Sequence, residues 1–191
     1  MINTLNKRIT EIKKINDIIL TILIMLGTIL IPTFLSKIIP LESNPQLIIG
    51  TIVNSLLITS ALYLKGKVKI ISICTMPSIS TILGGILFNN ASIYSKLMIP
   101  FIWLGNFSMI YIYKKMYVDK NKNYLITSII SIILKVSIIY LGFQIISLTL
   151  NPPEKIYTLL NTSMSIIQLI TSSLGALLIY TVLYINKVRK I

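Results

Sequence analysis

Lys135 stands in the stretch SIILKVSII, residues 131–139, with apolar residues on both sides. A charged side chain near the middle of a membrane span is costly, so such residues are rare and mark ligand sites or pathways. The competing reading is snorkelling, in which the long stem carries the ammonium to the interface, but from mid-layer that reach is barely enough. The five carboxylates offer no obvious partner. Asp17 sits at the inner edge of the first apolar run, Glu11 in the N-terminal tail, and Glu42, Asp119 and Glu154 between runs. The amine must therefore be neutral, be satisfied by amides and carbonyls, or receive an anion from outside.

Other polar residues fall at the same depth. At 1.5 Å per helical residue, Asn54 lies ~12 Å below the outer end of its run, Asn106 ~13 Å into its own and Gln168 ~12 Å. Lys135 lies ~14 Å from the outer face of a ~30 Å layer, and Ser80 comes out at about the same level. Helical spacing places Ser128, Ser131, Lys135 and Gly142 on one stripe, and Asn161, Ser165, Gln168, Ser172 and Gly175 on another. Such stripes serve either a cavity or close helix packing, since small residues let helices approach and amides bond across the interface. Pro77 removes one backbone donor within its run, which again serves either structure or a site.

The elements that must position these residues are membrane helices. The chain is 54% hydrophobic and 12% charged, which excludes an ordinary soluble core. Six apolar runs are long enough to cross a bilayer: about 18–36, 46–64, 70–88, 97–113, 124–146 and 160–184. Fourteen of the eighteen basic residues lie in the N-terminal tail, the second and fourth loops and the C-terminal tail. The positive-inside rule then puts both termini in the cytoplasm. The expected fold is all-α, a polytopic protein of six transmembrane helices in one integral membrane domain over residues 1–191, located in the cell membrane. Ile2, Leu5, Ile9 and Ile12 repeat at helical spacing among charges, so residues 1–14 are expected to form an interfacial amphipathic helix, as an anchor or as a partner's docking site.

Several chemistries lack their residues. With no histidine and one cysteine, Cys74, the chain has no zinc or copper ligand set and no internal disulfide, and no cofactor is expected. No nucleophile with a base stands out, no GxxxxGK[ST] motif is present, and no carboxylate lies within a span to hold a coupling ion. The chain is therefore not expected to be an enzyme. The net charge of +13 is distributed between apolar runs rather than on one soluble face, so nucleic acid is not an expected partner. In the loop YKKMYVDKNKNY, tyrosines at headgroup level beside inward-held lysines account for the mixture of aromatic and basic residues.

Four stretches carry a resemblance: GTIVNSLLITSALYLKG (50–66), PSISTILGGIL (77–87), MIPFIWLGN (98–106) and QLITSSLGALL (168–178). They resemble the substrate-binding, or S, components of energy-coupling factor (ECF) transporters. That resemblance implies six helices, cytoplasmic termini, an outward-open pocket for a vitamin or similar micronutrient, and partnership with a membrane coupling subunit and a pair of ATPases. It makes Asn106 a pocket-side residue. S components typically use alanine-type residues along the first span for docking, whereas here Gly27 is the residue on which close approach would depend. The expected substrate-binding set is Lys135, Asn106, Asn54, Gln168, Ser80 and Trp103, a group that suits a small solute with a carboxylate and amide-like edges. The alternative is a non-transporting membrane scaffold or assembly subunit whose polar residues only hold helices together.

Overall fold

A computed structural model describes the backbone of residues 2–39, 45–84 and 92–188, and the side chains of 15–39, 45–79 and 93–186. Every regular element among these is helical. The helices are α1 (Ile2–Ile38), α2 (Pro45–Tyr63), α3 (Lys67–Gly84), α4 (Ser92–Leu97), α5 (Ile99–Ile112), α6 (Tyr124–Leu150), α7 (Glu154–Met164) and α8 (Ile166–Val188), with a π-helical segment, Tyr113–Asp119, following α5. Local chemistry sets several boundaries. Gly66, at φ +104°, makes the turn between α2 and α3 in a conformation that side chains rarely adopt. The Asn123 side chain caps α6 by accepting from the backbone N–H of Leu125 at 2.8 Å and of Ile126 at 3.4 Å. Asn151, in the left-handed region, ends the same helix just before two prolines.

Packing closes a ring. α1 lies on α3, α3 on α5, α5 on α6, α6 on α8, α8 on α2 and α2 on α1, while α2 also touches α3 and α5. One end of the bundle is tied by polar contacts near the basic loops. Lys69 pairs with Asp17, Lys114 donates to the carbonyl of Leu64, Tyr113 donates to Ser128 at 2.8 Å, and Tyr124 donates to the carbonyl of Ala176 at 2.8 Å. At the other end Met98, Ile139, Phe143, Ile146, Leu160 and Met164 form an apolar cluster, with Ser163 donating to Gln46 at 3.2 Å.

Four segments are long and apolar enough to cross a membrane: Ile15–Ile38, Pro45–Tyr63, Tyr124–Leu150 and Glu154–Asn186. This supports a membrane-embedded, all-helical protein. The third expected run falls on α3, and its last residues, 85–88, lie outside the described residues. The fourth corresponds to α5, whose 14 residues rise only ~21 Å before the π-helical segment takes over. The sixth begins in α7 and is interrupted at Ser165 (φ −115°, ψ −86°). Residues 2–14, expected as a separate interfacial helix, are the opening turns of α1 and run on without a break into its apolar part. The loop tyrosines also differ from expectation. Tyr113 and Tyr124 are buried, and ring contacts link Tyr124 to Tyr113, Tyr117 and Tyr180 at 5.3–5.7 Å between centroids, so they pack inward rather than forming an outer belt.

Candidate functional site

The polar residues lie between two apolar clusters. Toward the basic end the core contains Leu57, Cys74, Met109 and Ile132; toward the other it contains Met98 and Ile139. Lys135 falls between Ile132 and Ile139 on α6, and Asn106 between Met98 and Met109 on the neighbouring α5. The expected α6 stripe, Ser128, Ser131, Lys135 and Gly142, is buried throughout.

Lys135 is 2% exposed, and its Nζ donates to the side-chain oxygen of Asn54, which is equally buried. The Asn54 Nδ2 in turn donates to Thr171 Oγ1 at 3.1 Å. Thr171 Oγ1 donates to the carbonyl of Ile167 at 2.8 Å, with that of Gln168 at 3.4 Å. A single chain of bonds thus ties α6 to α2 and α2 to α8. Close backbone approach holds the α2–α8 side of it. A Cβ on Gly50 would meet Thr171 Cγ2 at 2.8 Å, and one on Gly175 would meet Asn54 Cβ at 2.9 Å. On the opposite flank, a Cβ on Gly105 would lie 3.1 Å from the carbonyl oxygen of Lys135, so α5 presses directly on α6 at this level. Asn106, the next residue, donates through Nδ2 to the carbonyl of Cys74 on α3 at 3.3 Å. Cys74 is one residue beyond the carbonyl that Pro77, which lacks an N–H, cannot engage through the usual i to i−4 bond.

No family model, no curated protein and no solved structure matches this chain. Its chemistry is therefore read from its own residues.

Two features make the layer more than a set of paired groups. An ammonium has three donors, and among the described residues Lys135 has one acceptor, an uncharged amide. The one ion pair among those residues is Lys69 with Asp17, so no described carboxylate neutralises the buried amine. In addition, the buried hydroxyls of Ser172 on α8 and Ser78 on α3, and the side-chain oxygen of Asn161 on α7, have no hydrogen-bond partner among the described residues. Buried polar atoms are nearly always paired, so spare capacity at Ser172, next to Thr171, and at Ser78, one turn after Cys74, is the kind of feature a ligand site leaves.

The expected residues divide as follows. Lys135 and Asn54 meet directly, and Asn106 lies alongside through Gly105. Gln168 is half-buried one turn from Thr171 and contributes its backbone carbonyl. Trp103 is 39% exposed, on a side of α5 turned away from the core. Ser80 lies within α3, and its side chain falls outside the described residues. Gly27, expected to serve an external partner, is half-buried, with Leu56 of α2 placing its Cδ1 3.4 Å from an added Cβ. Thr171 is the participant that sequence reasoning missed. The available signal was its position three residues after Gln168 on the same helical face.

Proposed function

We propose that this chain is a six-helix membrane protein with both termini in the cytoplasm, which captures a small anionic solute from the outer side near the bilayer midplane. In this reading it is the S component of an ECF-type micronutrient transporter, working with a membrane coupling subunit and an ATPase pair. The observation that carries the proposal is the Lys135 amine, 2% exposed, with one amide acceptor and no carboxylate partner among the described residues. A buried cation with unused donors is complementary to a carboxylate, which accepts several charge-assisted hydrogen bonds. Support for six crossings comes from the antiparallel pairing of helix ends, which gathers Lys69, Lys114 and Tyr124 at one end of the bundle. The four stretches that resemble S components include Asn54 and Asn106.

A specific observation also favours the scaffold reading: Lys135, Asn54 and Thr171 are bonded to one another, as residues that hold helices together would be. Ligand-dependent thermal stabilisation of the purified protein separates the two. Capture predicts stabilisation by one carboxylate-bearing micronutrient, lost in Lys135→Met. Silence across a broad vitamin panel, with no ATPase pair co-purifying, supports the scaffold.

A further inference from the structure

Resting on the solute-capture reading, we infer that Asn54 is a built-in competitor: its side-chain oxygen occupies the position on Lys135 that an incoming carboxylate takes, and binding requires their exchange.

Three observations carry this. First, the contact is made by reach. α6 packs on α5, α8 and α7 rather than extensively on α2, so the Lys135 stem crosses to Asn54 instead of being pressed against it by adjoining backbones. Second, Asn54 can release its acceptor without leaving its place. Its Nδ2 is held by Thr171, and its Cβ is backed by Gly175. Third, exchange favours an anion, because a carboxylate brings the opposite charge to the ammonium, which the neutral amide oxygen of Asn54 does not. An unspent donor lies one residue from Thr171 in sequence. Ser172, fully buried and without a hydrogen-bond partner among the described residues, follows Thr171 and projects about 100° further round α8.

If the bonded pair is the resting state, the measured affinity is the intrinsic affinity reduced by the fraction of molecules in which Lys135 is free. Removing the Asn54 oxygen should therefore tighten binding. A purely structural role predicts the reverse, since damage to a site weakens it. The test is titration of the purified full-length chain with nicotinate, biotin and pantothenate, using nicotinamide as the uncharged control. Asn54→Ala and Asn54→Leu should bind the carboxylate that the native chain prefers about ten-fold tighter, the equivalent of one charged hydrogen bond. Asn54→Asp, which gives Lys135 a fixed counter-ion, should abolish binding. If only the Ala and Leu variants bind, the inference is also supported, the native competitor being strong enough to mask the site. Native binding with equal or weaker binding by Ala and Leu overturns the inference and leaves the capture reading standing. Binding by the Asp variant at native strength overturns it too. Silence of the native, Ala and Leu proteins toward all three carboxylates overturns both. Should the Ala variant fail to fold, the Leu variant retains the bulk and Asp retains an acceptor for the lysine.

Discussion

Gly175 of α8 lies so close to Asn54 of α2 that a Cβ on the glycine would stand 2.9 Å from the asparagine Cβ. The backbone nitrogen of Ser55 and the carbonyl oxygen of Thr51 would be 3.0 and 3.1 Å away, so the neighbours cannot yield by rotating a side chain. Gly175→Ala should therefore lower stability by about 1–3 kcal/mol through overpacking, despite the better helix propensity of alanine. Gly27→Ala is the matched control. Its Cβ would meet only side-chain tips, Leu56 Cδ1 at 3.4 Å and Ile31 Cδ1 at 3.7 Å, and its melting temperature should stay the same or rise. Equal melting temperatures for the two variants in detergent would contradict this account of the α2–α8 contact.

The Lys135–Asn54 contact should appear as a coupling in a double-mutant cycle. Asn54→Leu strips the buried ammonium of its acceptor and should destabilise the protein. Lys135→Met removes the charge and should be neutral or stabilising, because a buried charge is costly to desolvate. The double variant should recover most of the loss, giving a coupling of about 1.5–3 kcal/mol in equilibrium unfolding. Additive effects would mean that the bond contributes nothing.

How much of this was legible in the sequence follows from what each signal measures. Counting residues at a fixed rise gives depth, so the meeting of Lys135 and Asn54 in one layer could be read from spacing alone. The α6 stripe could be read as well, because its polar and small residues recur at helical period. Rotation of one helix against another could not. Trp103 stands two and three residues before Gly105 and Asn106 on α5, but its orientation depends on how α5 meets α6, where Gly105 approaches closely. Thr171 is one hydroxyl in the run TSS, and only the turn of α8 that puts it against Gly50 sets it apart. Hydrophobic periodicity likewise does not report the π-helical widening, or the break at Ser165, whose hydroxyl donates back to the Asn161 carbonyl at 2.5 Å.

At the basic end, Tyr124→Phe removes one hydrogen bond, to the Ala176 carbonyl, and keeps the ring contacts. The expected loss is about 1 kcal/mol. Tyr124→Ala also removes a large buried ring and should cost about 3–5 kcal/mol. Similar melting points for the two variants would mean that the aromatic cluster does not hold α6 to α8.

The Lys69–Asp17 pair is 27% exposed on each side, so its contribution is limited by solvent screening. Asp17→Asn should cost less than ~1 kcal/mol at low salt. The difference from the native protein should vanish near ~1 M NaCl, where the screening length is ~3 Å. Melting curves across a salt series check this, and a gap that persists at high salt would show that the carboxylate has another role.

The uneven placement of polar ties has a directional consequence. Tyrosine hydroxyls and lysine amines clamp one rim of the bundle, whereas among the described residues the opposite rim is held chiefly by methionine, isoleucine and phenylalanine contacts, with the Ser163–Gln46 bond beside them. Thermal breathing of such a bundle is lopsided, with the clamped rim acting as the fulcrum and the greasy rim as the mouth. In the solute-capture reading, a ligand would reach the buried amine through that greasy rim.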